Sequence, residues 1–96
     1  MAYAVIRHYK GSSDLIDELA KRSDDVEKLL RGIDGFQSYV LARSEEGGFS
    51  VSVYESREGA DESITAAKKF VAEELSDIKA SPPEVLQGEV TLHFNG

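Results

Sequence analysis

Cysteine is absent from this 96-residue chain, so it can build neither a disulfide framework nor thiolate chemistry. Positive charge is scarce. Eleven Lys and Arg stand against 18 Asp and Glu, and the net charge of −7 argues against a nucleic-acid or anionic-membrane partner. No apolar run approaches the roughly 20 residues that span a bilayer. The opening Met1-Ala2-Tyr3-Ala4-Val5-Ile6-Arg7-His8 lacks a long apolar core and a small-residue cleavage site, and reads as a strand rather than a signal peptide. These absences together lead us to expect a cytoplasmic protein. Also missing are a G-x-S-x-G elbow, a phosphate-cradling glycine loop, Cys/His zinc spacing and an EF-hand loop, which removes most reaction classes that carry a named motif.

The residues that are present describe one domain, 1–96, of the α+β class. Residues 3–9 alternate and carry Val, Ile and two Tyr, which suits a first strand. After Gly11-Ser12-Ser13-Asp14, a stripe of Leu15, Leu19, Val26, Leu30 and Ile33 predicts one amphipathic helix, ended by Gly32 and Gly35. Gly35 to Glu55 then reads as two strands around a Glu45-Glu46-Gly47 turn. Ser56 is an expected N-cap, and Ala60, Ile64, Ala67, Val71, Leu75 and Ile78 give the clearest helical stripe in the chain. Pro82-Pro83 leads to a last strand expected over about Val85 to Phe94.

The order β-α-β-β-α-β, with two right-handed crossovers, gives a ferredoxin-like antiparallel sheet of strand order 4-1-3-2 with both helical segments on one face. Pairing about a three-residue turn would put Tyr39, Leu41, Phe49, Val51 and Val53 against the helices. Ser38, Val40, Ala42, Ser50, Ser52 and Tyr54 would then lie on the bare face. We place Ile6, Leu86, Val90, Leu92 and Phe94 with the core, leaving Tyr3, Val5, Arg7, Tyr9, Val85, Gln87, Glu89 and His93 on the bare side. A bare face of that mixed kind suits a second sheet about 10 Å away, hence a homodimer formed sheet to sheet with room for a small ligand.

The residues Ile33-Asp34-Gly35-Phe36-Gln37-Ser38-Tyr39, Gly47 through Glu55, Arg57-Glu58-Gly59-Ala60 and Gly88-Glu89-Val90 carry a family likeness. In them the chain resembles the dimeric α/β-barrel superfamily, and within it the antibiotic biosynthesis monooxygenase-like proteins. The resemblance implies a barrel built by two protomers, with a cavity between each sheet and its helices or between the sheets. Some members oxidise polycyclic aromatic substrates without metal or flavin, others cleave haem, and many small ones have no assigned activity. The haem-degrading branch looks like an Asn, Trp and His constellation, whereas this chain has no Trp and only Asn95. Of the Asn, Trp, Tyr and Arg that surround substrate in the cofactor-free oxygenases, Tyr and Arg are available here.

Candidate chemistry therefore rests on few groups. Antiparallel pairing of the first and last strands would bring His93 near Tyr3 or Ala4 and His8 near Gly88 or Glu89, about 16 Å apart, too far to share a metal ion. Neither a metal nor an organic cofactor is expected. His93 could move a proton near neutrality, and Arg7 could steady an anion through its fork of donors; the competing role for Arg7 is a cross-strand pair with Glu89. Tyr9 and Tyr54 could orient an aromatic ligand, with Ser38, Ser50 and Ser52 giving room. The expected function is a homodimer that binds, and as an enzyme oxidises, a small aromatic or acidic organic molecule. The alternative is a non-catalytic dimeric binding or structural module.

Overall fold

The computed structural model describes residues 1–78 and 82–96. Along the chain lie β1 (Tyr3–Lys10), α1 (Ser13–Lys21), α2 (Ser23–Arg31), β2 (Phe36–Ser44), β3 (Gly47–Tyr54), α3 (Arg57–Glu74) and β4 (Glu84–Glu89). The strands form one antiparallel sheet ordered β2-β3-β1-β4, the arrangement expected from the sequence. The first helical stripe is divided in two at Arg22, where the backbone leaves helical geometry (φ −103°, ψ 33°). Ser23-Asp24-Asp25 follows, and places carboxylates in the first turn of α2, where the helix dipole favours negative charge. At α3 the Ser56 hydroxyl accepts from the Gly59 N–H at 3.5 Å, as an N-cap does.

The hairpin sets everything above it. Ser44 pairs with Gly47, so the loop is Glu45-Glu46 alone, one residue shorter than the turn expected from sequence. Gly47 makes this possible with φ 137°, a conformation that side-chain-bearing residues rarely adopt. A one-residue change of register moves a whole strand to the other face. Tyr39 therefore faces Ser52 and Leu41 faces Ser50. Ser50, Ser52 and Tyr54 are buried beneath the helices, while Phe49, Val51 and Val53 lie on the open face, the reverse of the expectation.

β1 and β4 follow β3. Val5 pairs with Ser52 and Arg7 with Ser50, so Val5, Arg7 and Tyr9 are buried, whereas Ile6 and His8 are on the open side. Arg7 in turn pairs with Val85 and Val5 with Gln87, which sends Leu86 to the open face. The first- and last-strand faces are thus also opposite to those expected. β4 is shorter than the expected run to Phe94. It starts pairing with His8 at Glu84, directly after Pro83, and reaches the start of β1 at Glu89. One more bond, from Val90 N–H to the Ala2 carbonyl at 2.8 Å, uses up the backbone available on that side.

The core lies between sheet and helices. Leu15, Ile16, Leu19, Val26, Leu30, Ile33, Ala60 and Leu75 pack over Val5, Tyr9 and Tyr54. Each fully buried aliphatic side chain adds about 1.5–3 kcal/mol relative to exposure. The sheet meets α1 closely at Gly48, where an added Cβ would sit 2.6 Å from Ile16 Cγ1 and 2.7 Å from the Ala42 carbonyl. Gly48→Ala is expected to cost about 1–3 kcal/mol by overpacking. The check is urea unfolding, in which the midpoint should fall with an unchanged slope.

Candidate functional site

The helix-covered side of the sheet gathers polar groups where an ordinary core would be aliphatic. Arg7 projects from β1 and is only 4% exposed. Its Nη2 donates to the Ser63 carbonyl of α3 at 2.9 Å. No described carboxylate forms an ion pair with it. Glu89, the partner considered from sequence, stands opposite Tyr3 instead, because β4 pairs from its first residue and slides Glu89 to the far end of β1. A buried guanidinium without a carboxylate is costly unless other groups solvate it. Those groups are near: Tyr9 two residues along β1, Ser50 directly across on β3, and Tyr39 on β2.

Three hydroxyls of this face, Ser50 Oγ, Ser52 Oγ and Tyr54 OH, are buried and make no hydrogen bond. Buried polar atoms are normally paired, so three orphans on the face that carries Arg7 set it apart from an ordinary core. The phenols are also tuned. Burial raises the Tyr9 pKa above its ordinary 10, with Arg7 and Ser50 opposing the rise. Tyr39 is pushed up to about 12, first by burial and then by the neighbouring Tyr9, with Arg7 working against both. Ser50 is close enough to ease both phenols, although its hydroxyl closes no hydrogen bond in this geometry. At neutral pH Tyr9 and Tyr39 are therefore O–H donors. With Arg7 they can hold a ligand oxygen but supply no base.

Two cavities open onto this face. One, of about 380 Å³, lies between α3 and the sheet and has Arg7, Tyr9 and Lys68 in its wall among apolar residues. The other, of about 620 Å³, lies between the α1–α2 pair and β2, against Leu19, Leu30, Phe36, Tyr39 and Leu41. At its rim Arg31 stacks 5.9 Å above the Phe36 ring centre and reaches Glu27 at 2.6 Å. The smaller space carries the buried charge, and we take it as the candidate site. Among the described residues no group of three or more His, Asp or Glu gathers as for a metal ion, and no helix is long and apolar enough to cross a membrane.

This architecture matches solved structures over nearly its whole length. The haem degrader MhuD of Mycobacterium tuberculosis, solved with two haems bound in its active site, superposes with a TM-score of 0.70 at 22% identity, covering 97% of this chain and 99% of that one. A Streptomyces coelicolor monooxygenase from the ActVA-Orf6 gene, in complex with nanaomycin D, gives 0.64 at 19% identity, covering 99% and 91%. A Chloroflexus aurantiacus protein assigned as an antibiotic biosynthesis monooxygenase gives 0.67 at 17% identity, covering 100% and 98%. The chain has the fold of the antibiotic biosynthesis monooxygenase-like proteins. No family model and no curated protein sequence matches it.

Within this monooxygenase-like fold the residues singled out from sequence divide clearly. Arg7, Tyr9, Ser50, Ser52 and Tyr54 come together, but under the helices rather than on the open face. Ser38 pairs with Val53 and joins the open side. His93 lies exposed in the segment after β4, away from Arg7, and His8 sits 3.8 Å from Glu46 of the hairpin loop. One residue of the candidate cavity, Lys68, escapes the reading from sequence although it follows Ala67 beside the stripe Ile64, Ala67, Val71. Tyr39, placed with the core from sequence, is on the helix side and lines the other cavity. A cation on an apolar stripe was the available signal.

The raised phenols predict a pH dependence. Folding holds the Tyr39 proton more tightly than the unfolded chain does, so stability is full below about pH 10 and declines as pH rises toward 12, where the unfolded state ionises first. Denaturant unfolding at stepped alkaline pH should show this decline, and Tyr39→Phe should flatten it.

Proposed function

We propose that the chain works as a homodimer closed through its open sheet face, and that each protomer binds a small aromatic or acidic organic molecule between α3 and the sheet. The observation that carries this reading is the buried Arg7, with no described carboxylate beside it, next to three unpaired hydroxyls and a cavity. Arg7 steadies the negative charge on the ligand or on an anion formed from it. The phenols orient a ring, and Ser50 and Ser52 leave room for it. The ligands in the neighbouring structures, nanaomycin D and haem, are likewise flat and oxygen-bearing. The reading extends to a second step, as the sequence resemblance implies, in which an electron-rich ligand reacts with dioxygen without metal or flavin. His93 and Ser38 take no part in this reading.

The open face supports dimerisation more strongly than the face expected from sequence. Ile6, Val40, Phe49 and Leu86 are 37%, 56%, 37% and 67% exposed, with Val51 and Val53 between them. An apolar patch of this kind is a poor water surface and a good interface. A binding module without catalysis is the second reading. It is favoured by the absence of any histidine from the polar cluster and by phenols that hold their protons at neutral pH.

Light scattering at micromolar concentration should report twice the protomer mass, and Phe49→Glu should halve it while far-ultraviolet circular dichroism stays the same. A monomeric wild type would remove the dimer. For the site, 1-naphthol serves as a probe. Dioxygen uptake on binding supports oxidation, whereas binding without uptake supports the module.

A further inference from the structure

The candidate cavity has a charge opposite to that of the molecule around it. The chain has seven more acids than bases, yet the α3 cavity holds Arg7 in its floor and Lys68 in its wall. No described Asp or Glu lines it. On α3, Asp61 accepts from the Gln87 amide at 2.8 Å. The rest of the lining, including Leu15, Ile64, Val71 and Val85, is apolar. Lys68 is exposed at its own surface but stands on the sheet-facing stripe of α3, one residue after Ala67 and three before Val71. The two cations therefore come from opposite walls, one fixed by burial and one free to swing at the mouth.

We propose, resting on the binding reading above, that this cavity selects its ligand as an anion: a flat apolar body bearing an ionised carboxylate. The carboxylate meets Arg7, whose planar fork matches it in geometry, and Tyr9 adds a neutral O–H donor alongside. Ser50 stands across the sheet from Arg7, behind the cavity lining, with its hydroxyl unpaired. Lys68 closes over the ligand from α3 and draws acids toward the mouth of a protein that otherwise repels them. Apolar walls take the ring. In this arrangement the negative charge on the ligand supplies the counterion that Arg7 lacks within the described chain, so the neutral form of the same molecule leaves the guanidinium uncompensated and binds more weakly.

The test compares three probes of one shape: 2-naphthoate, 2-naphthamide and 2-naphthol, titrated by calorimetry into the full chain at neutral pH. Naphthoate should bind about 10- to 100-fold more tightly than the amide, the range for hydrogen bonds to a charged group. Arg7→Met, which keeps bulk and removes the charge, should erase that preference while leaving naphthol binding in place. Lys68→Gln, at an exposed position that does not risk the fold, should weaken naphthoate about 2- to 5-fold and leave the amide unchanged. Equal affinity for naphthoate and naphthamide would overturn the selection for anions and leave the cavity itself standing. Failure of all three probes to bind would remove the cavity reading and this inference together. If Arg7→Met does not fold, the Lys68→Gln comparison decides, and a naphthoate affinity that it leaves unchanged would count against the proposal.

Discussion

Because Glu45 and Glu46 alone connect β2 to β3, Ser44 must face Gly47, and that one pairing assigns every side chain of β3 to a side of the sheet. β1 takes its alternation from β3, and β4 takes its own from β1. Gly47 holds the register, since its backbone angle excludes most other residues and Gly11 donates to the Glu46 carbonyl beside it. The length of the loop decides that Arg7, Tyr9, Ser50 and Tyr54 lie under the helices. With one more residue in the loop, the same sequence would present them on the opposite side.

The order of elements was legible before the structure. Turn residues, the Ser56 cap and the α3 stripe each mark their own positions through local chemistry. The facing of the strands was not legible, for a physical reason. Phe49, Val51 and Val53 are more hydrophobic than Ser50, Ser52 and Tyr54, and hydrophobicity read alone sends the first set inward. In a sheet that is apolar on its open side and polar beneath its helices, that rule points the wrong way. The slide of β4 was hidden for a similar reason: Val85, Leu86, Val90 and Leu92 support several registers equally well, and only the length of β1 limits the pairing. Five of the polar candidates named from sequence nonetheless meet in one place, because each sat at a strand position where its neighbours were also unusual.

Burial raises the proton affinity of Tyr9 and Tyr39, and Arg7 lowers it. The balance keeps both phenols neutral, and neutral phenols solvate a guanidinium through their oxygens while still offering O–H to a guest. The same low-dielectric setting that makes an unpaired Arg7 expensive also strengthens any interaction it makes. An interior polar cluster with so few internal bonds contributes little to folding. The aliphatic residues of α1, α2 and α3 provide the stability.

Ser50 and Ser52 sit on a strand paired on both sides, so their backbone positions do not depend on what their side chains are. Exchanging either changes the chemistry of the buried face while the backbone ladder stays in place, although a larger side chain there would press on the helices above. A sheet held in this way can diverge in its side chains faster than in its shape. That fits a shared architecture among structures that keep only about a fifth of their residues in common and are seen with ligands as different as haem and nanaomycin D.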